Sequence, residues 1–494
     1  MMSKLKPSLL AAGVLLAVSG LAAKYAVSGD AFSTMQMPSM KVLRAATPYQ
    51  DNNGQVPPRG VYSGPLFKLS HDWPTSPLPP IGKAPWQEAI GNGPITVENA
   101  SAYAAALKAA VADNAKQLIM RHDQWDAAKA GWYNEPWVGS LREAISGTYP
   151  AGTFGPSIFP GTGLRATFNT HVLTYYDKRA AYSLRDFWGE SSMKPALKTE
   201  KAQFQEGAII VKAALFASAD PKVKADWWDA MAGAAAWSLY LPVGSQSKPQ
   251  VWPGYVAQFD IIVKDSQSSP ATGWVFMTLV YDKDAPGDVW DKMVPLGVQW
   301  GNDPQATSPD MPLKENWNNP KAPLYSTQTL GWGGRLTGPN DGGRNDIAVD
   351  GKVIRNAPNS SCMSCHSTAE WSTTSNRMNS FLLPSFATKA APYFQLCNDQ
   401  GKPDPNGTVI CSPAPGSKEW MKWFQNRPGT EAMDPDSFAV DFDEVFSFKS
   451  LKLWWAAVGP AEQVAPMLMR TPAQGPRFNQ YTGAPLPKAE DEAR

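Results

Sequence analysis

Residues 256–281 read VAQFDIIVKDSQSSPATGWVFMTLVY, and this stretch decides the fold class. Val256, Phe259 and Ile261 begin a β-leaning run that ends near Val263, and Trp274 to Tyr281 supplies a second. Between them, Ser266 to Gly273 carries the Ser, Pro and Gly of a hairpin loop. Upstream, Ala208 to Phe216 is a continuous apolar run of the same character, so a sheet is expected at the centre of the chain. Val223 to Tyr240, rich in Ala and Trp, reads as a short helix covering one face of that sheet. A longer helix is predicted from about Asn99 to Met120, where Leu107, Val111, Ala115 and Leu118 share one face and Asn99 or Ser101 supplies the cap.

Working outward, residues 96–345 are assigned to this β-rich domain, sheet- or sandwich-like with some helices. Residues 31–95 hold eight Pro between Pro57 and Pro85 and show no sustained periodicity, which predicts an extended, Pro-rich wrap on the domain surface rather than a core. GWGGRLTGPNDGGRND, residues 331–346, marks a composition shift and a domain boundary. Asn340, Asp341, Asn345, Asp346 and Asp350 lack the register and final Glu of a calcium loop, so they read as a solvated turn insertion. A second domain is expected over 346–460, followed by a polar tail over 461–494.

Across 494 residues the formal net charge is +1, which provides no electrostatic footprint for nucleic acid. Hydrophobic residues at 43% and charged residues at 18% exclude a disordered chain. Two Lys lie within Met1 to Lys6, and Leu9 to Ala23 is then uncharged, which is short of the roughly 20 apolar residues of a spanning helix. Residues 1–30 therefore read as an export segment, either a cleaved signal peptide or a retained N-terminal anchor that tethers the protein to the inner membrane. Both readings put the body of the protein in a periplasm, where disulfides persist.

Residues 362–366 read Cys-Met-Ser-Cys-His, the C-x-x-C-H signature of c-type haem attachment. Two thiols at this spacing can each add to a vinyl group on the same porphyrin edge, and the adjacent His366 supplies an axial imidazole nitrogen. A redox-active Cys pair would need a βαβ setting, and a zinc site would need two more ligands nearby. Yet His366 is the only His after residue 171, and the other Cys lie over thirty residues on. Those two, Cys397 and Cys411, flank a loop of Asn, Asp, Gly and Pro residues, and a local disulfide there would contribute about 3 kcal/mol in the chain-entropy model.

A second axial ligand is expected to be His or Met, and downstream of His366 the candidates are Met378, Met421, Met433, Met467 and Met469. Met433 is the best placed. It ends the loop from Arg427 through Pro428 and Gly429, which closes the amphipathic stretch Ser417 to Gln425 with Trp420, Trp423 and Phe424 on one side. A helical stripe of Phe448, Leu451, Trp455 and Val458 follows. This order resembles the class I cytochrome c domain over about residues 350–460. The Pro428-Gly429-Thr430 run before Met433 resembles the Met loop of mitochondrial-type cytochromes, with one residue more between Thr and Met.

The resemblance implies an α+β chain, with the β-rich N-terminal domain followed by a mostly α-helical cytochrome c domain. It makes Cys362 and Cys365 the thioether attachments of one covalent haem c, His366 the proximal ligand and Met433 the distal ligand. Pro384 matches the family proline whose carbonyl accepts the proximal imidazole N–H. Trp420, Trp423, Trp454 and Trp455 are expected to bury the haem.

The functional expectation is an exported mono-haem c-type cytochrome in electron transfer, its iron cycling between Fe(II) and Fe(III) with redox proteins as donor and acceptor. Copper chemistry is excluded because no Cys precedes residue 362, and no second C-x-x-C-H, G-x-S-x-G elbow, Walker loop or dinucleotide fingerprint is present. Two alternatives are a haem-linked oxidoreductase whose N-terminal domain binds the substrate, and a ligand-binding sensor with an open sixth site. His71, His122 and His171 are expected to be structural, His122 as a cation suited to a helix end.

Overall fold

The computed structural model describes residues 50–70, 72–188, 197–223, 227–243, 248–341, 343–372, 395–404, 409–451 and 454. Eight strands form one antiparallel sheet: β1 (Tyr149–Phe154), β2 (Phe168–Tyr176), β3 (Ile209–Ser218), β4 (Ala236–Leu241), β5 (Gln250–Lys264), β6 (Trp274–Tyr281), β7 (Met293–Gln299) and β8 (Asn316–Asn318). The order is β1-β2-β3-β5-β6-β7-β8, with β4 pairing the first half of β5. The three predicted runs fall on β3, β5 and β6, the first starting one residue before β3, and the Ser266–Gly273 segment joins β5 to β6 as a hairpin.

Val223 to Tyr240 does not form the expected helix. Its described residues, 223 and 227–240, hold one 3-10 turn at Asp229–Met231 and then β4. Trp237, Leu239 and Leu241 are buried at a spacing of two, a strand period that outweighs the helix propensity of the alanines, and the first half of β5 needs a partner on the edge where β6 has ended.

Both faces of the sheet are covered, so β6 is buried along its whole length. Helix α1 (Ala100–Met120) lies on the face of Phe259 and Leu279: its Lys108 sits over the Trp290 ring, and Trp290 meets Phe259 edge-on. All four predicted apolar positions of α1 are buried. The Pro-rich lead-in does contribute to the core, since Phe67, Leu69, Trp73, Trp86 and Ile95 are buried in it. Asp265 in the β5–β6 loop fastens it there, accepting hydrogen bonds from Trp86 Nε1 (3.1 Å), Gln87 Nε2 (2.9 Å) and the α1 hydroxyl of Tyr103 (2.7 Å).

The opposite face presents Lys212 on β3, Asp260, Ile262 and Lys264 on β5, Phe276 and Thr278 on β6 and Gln299 on β7. A second helix, α2 (Lys178–Trp188), and described parts of the C-terminal third, among them His366 and Phe446, pack here. Asp341 is no solvated turn residue: its carboxylate is buried on this face, where it accepts from Lys212 Nζ (2.5 Å) and Gln258 Nε2 (2.9 Å). Cys362, Met363, Trp371, Phe442 and Phe446 belong to the same hydrophobic core as the sheet.

Beyond residue 343 the described residues are mainly strand and turn, and the expected mostly helical domain is not found among them. A small sheet runs β10-β9-β13-β12, built from β9 (Arg344–Val349), β10 (Lys352–Pro358), β12 (Gln395–Cys397) and β13 (Val409–Cys411). A two-stranded ladder pairs β11 (Glu370–Trp371) with β14 (Phe438–Ala439). Among the described residues past 343, helical geometry is found in α3 (Cys362–His366), in a 3-10 turn at Trp420–Lys422 and over 444–451, π-wound at Phe446–Ser450, with Trp454 helical as well; this last stretch holds the start of the expected stripe. The physical reason lies at Pro358, which ends β10: the backbone is still extended at Ser361, so Cys362 opens a helix instead of closing a preceding one.

Cys397 and Cys411 form the expected disulfide, with Cα atoms 5.3 Å apart. Among the described residues no helix is long and apolar enough to cross a membrane. The export segment 1–30, the 461–494 tail, His71, Met378, Pro384, Trp455, Met467 and Met469 lie outside the described residues.

Candidate haem attachment site

Ser361 starts the site. Its hydroxyl accepts the Ser364 N–H (3.0 Å), and the Ser364 hydroxyl accepts the Ser361 N–H (2.8 Å), a reciprocal cap that allows a helix of only five residues to form. The sheet supports the same turn, because Gln299 donates to Ser361 Oγ (3.2 Å) and accepts from the Met363 N–H (3.0 Å). Cys362, Cys365 and His366 are thereby gathered on one short helix over β6 and β7, with Met363 fully buried beneath them.

Burial pushes both thiols well above the ordinary cysteine range. A thiol pair built for disulfide exchange is shifted the other way, so the environment argues against a thioredoxin-like role. Among the described residues no three His, Cys, Asp or Glu side chains are grouped to hold a bare metal ion, so a zinc reading finds no partners there.

His366 is oriented at one nitrogen. Its Nδ1 lies 2.8 Å from the carbonyl oxygen of Phe442, an acceptor-only group, so Nδ1 carries the proton and Nε2 keeps its lone pair. The Phe276 ring packs against the imidazole with centroids 4.7 Å apart. Burial lowers the imidazole to about 4, which leaves it neutral at pH 7, the state a metal ligand requires. The carbonyl role expected of Pro384 is filled in this structure by Phe442. Nothing in the sequence around residue 442 signalled it, because the contact depends on an unusual backbone: Asp441 and Phe442 both have positive φ, at 47° and 68°.

Met433 is tied to the segment just past this turn. Its N–H donates to Glu370 Oε2 (2.6 Å), four residues beyond His366, and its thioether packs with a second apolar cluster that holds Trp332, Trp420, Met421, Trp423 and Phe424. Met421 is a buried member of that cluster, not a group facing His366. The tryptophans expected to enclose one haem are divided: Trp420 and Trp423 sit in the second cluster, while Trp454 packs against Trp188 of α2.

His122 and His171 are structural, with one correction. His122 stacks on Trp237 at 3.9 Å and burial lowers it to about 3, so it is neutral and does not serve as a helix-end cation. His171 lies in β2 with Nδ1 3.5 Å from Thr148 Oγ1.

No protein-family model matches the chain, and neither the curated proteins nor the solved structures contain a similar one. What the chain does must be argued from its own residues. Those at 362–366 fit a c-type haem: two protonated thiols on one turn, and beside them a neutral imidazole fixed through Nδ1 with Nε2 as its remaining ligating atom.

Proposed function

We propose that the protein is an exported mono-haem c-type cytochrome that carries single electrons between redox-protein partners in the periplasm. The observation that carries this reading is the orientation of His366, whose hydrogen bond to the Phe442 carbonyl leaves Nε2 free on the residue that completes the C-x-x-C-H turn. In this reading Cys362 and Cys365 hold haem c through thioethers, His366 is the proximal ligand and Met433 the distal one, within a cytochrome c domain of the class I kind. When bound, the haem supplies a one-electron Fe(II)/Fe(III) couple. The chain's residues do the rest. The Phe442 carbonyl raises the basicity of His366, while the Phe276 ring covers part of the imidazole.

The test is expression together with a c-type maturation system. The mature chain should keep its colour and haem peroxidase stain on a denaturing gel, and the Cys362→Ser/Cys365→Ser double variant should lose both. A colourless wild-type chain rejects the reading. Replacing Met433 by Ala should remove the charge-transfer band of a Met-ligated ferric haem; a band that survives assigns the sixth position to another residue.

A further inference from the structure

Two consecutive residues with left-handed backbone are costly unless they are glycines, and for a bulky residue such as Phe442 the conformation is a true outlier. Such a conformation persists only where its surroundings over-determine it. The surroundings converge on one carboxylate. Asp441 is fully buried and accepts three hydrogen bonds from three separate parts of the chain: the Phe204 N–H (2.7 Å), Lys264 Nζ on β5 (2.6 Å) and Trp274 Nε1 on β6 (2.7 Å). Gly429 presses on it as well, so closely that a Cβ there would run into Asp441 Oδ1. Gln203 donates to the Gly429 carbonyl (2.8 Å) and holds that approach in place.

The peptide fixed by this brace is the one whose carbonyl meets His366 Nδ1 at 2.8 Å. We infer that Asp441 is a positioning residue: by holding the 441–442 turn left-handed it aims the Phe442 carbonyl at His366, and so sets the electron donation of the imidazole and the reduction potential of the iron. This inference rests on the haem reading above. A well-aimed carbonyl gives the imidazole partial anionic character, which stabilises Fe(III) over Fe(II) and keeps the potential low. Loss of the aim weakens that donation and raises the potential.

Charge alone predicts a different pattern, and the difference makes the inference testable. In the mature full-length protein, Trp274→Phe removes one donor to Asp441 with no change of charge. Lys264→Met removes a cation, which by simple electrostatics would lower the potential. Positioning predicts that both variants raise it, along with a weaker iron–imidazole stretch in the resonance Raman spectrum. Asp441→Asn should give the largest rise, about tenfold in the Fe(III)/Fe(II) equilibrium, the low end of what replacing a group that orients a metal's ligand commonly does. For one electron that is about 59 mV. Asp346→Asn serves as the control, since Asp346 is an equally buried carboxylate that braces Asn356 on β10 instead, and it should leave the potential where it is.

The inference is overturned if Lys264→Met lowers the potential, if Trp274→Phe and Asp441→Asn leave it unmoved, or if Asp346→Asn shifts it equally. Should Asp441→Asn fail to fold, the two donor variants decide. A coloured protein with an unmoved potential rejects only the role of Asp441, whereas a colourless wild type rejects the haem reading itself.

Discussion

Lys212→Met tests how firmly residues 338–341 are clamped to the sheet beside Cys362. Lys212 Nζ lies 2.7 Å from Asp260 Oδ2 and 2.5 Å from Asp341 Oδ1, and the three side chains are 18%, 7% and 18% exposed. At an effective dielectric near 20 each contact is attractive by about 6 kcal/mol in gross Coulomb terms. Dehydration of the ammonium and repulsion between the carboxylates offset most of that. Removing the cation alone leaves two largely buried carboxylates with only neutral donors, Gln258 Nε2 (2.9 Å to each), Thr278 Oγ1 (2.8 Å to Asp260) and the Gly338 N–H (2.9 Å to Asp341). Breaking one side of a buried ion cluster costs about 3–5 kcal/mol.

Urea unfolding at pH 7 should show a loss of that size. Lys283→Met, which removes an exposed partner of Asp284, should lose no more than about 1 kcal/mol. Adding Asp260→Asn and Asp341→Asn to Lys212→Met should recover most of the stability, because no buried charge then lacks a counterion. The deficit of the single variant should also shrink on acidification, because a carboxylate raised in the folded state contributes stability that is present at low pH and lost as pH rises. A loss in Lys212→Met no larger than in the Lys283 control would refute the reasoning, and Asp341 would then have to be solvated.

Four other outcomes can be checked. Ser361→Ala removes the cap of α3 and should cost about 1 kcal/mol by thermal or urea unfolding, with less haem attached per chain. Gly331→Ala would drive a Cβ into the Ser360 carbonyl, one residue before that cap, and should cost about 1–3 kcal/mol and lower haem content more than Ser361→Ala does. Burial raises Asp443 to about 7, so it contributes stability that is present below about pH 4 and lost as pH rises to 7. Between pH 4 and 8 the wild type should therefore lose on the order of 4 kcal/mol more than Asp443→Asn in parallel denaturation series. Replacing Cys397 and Cys411 by Ser should cost about 3 kcal/mol in unfolding under oxidising conditions, with haem content unchanged.

The central strands were legible because each carries its own signal: a β-branched or aromatic run bounded by loop residues, with β6 ending where the pattern ends. The stripe on α1 and the spacing of Cys362, Cys365 and His366 are equally local. β4 was misread because alanine content was weighed above the period-two burial of Trp237, Leu239 and Leu241. The mostly helical domain expected over residues 346–460 came from a resemblance; apart from the C-x-x-C-H turn and the helical stretch 444–451, on which the apolar stripe from Phe448 begins, the described residues there form short strands and turns instead. Asp341 and Asp441 were illegible for another reason. Their partners lie far back in the sequence, Lys212 for the first and Phe204, Lys264 and Trp274 for the second, and no local pattern announces a pairing that only the sheet creates.

That dependence on the sheet explains why the face beneath the C-x-x-C-H turn is so polar. An apolar face would suit an amphipathic helix, but what lies here is a five-residue helix flanked by turns, with backbone groups that no regular ladder satisfies. Gln299 answers the Met363 N–H at the entrance to the turn, while Asp260 and Lys212 secure Asp341 upstream of it. Lys264, four residues along β5 from Asp260 and on the same face, secures Asp441 on the far side, and Phe276 on the neighbouring strand meets His366 between the two anchors. Each anchor couples a buried charge to a segment more than a hundred residues away, so neither is satisfied until sheet and turn have met. Docking of the turn is therefore part of forming the sheet's own core. Docking also buries Cys362 and covers much of Cys365, so in the haem reading proposed above attachment would come before it or with it.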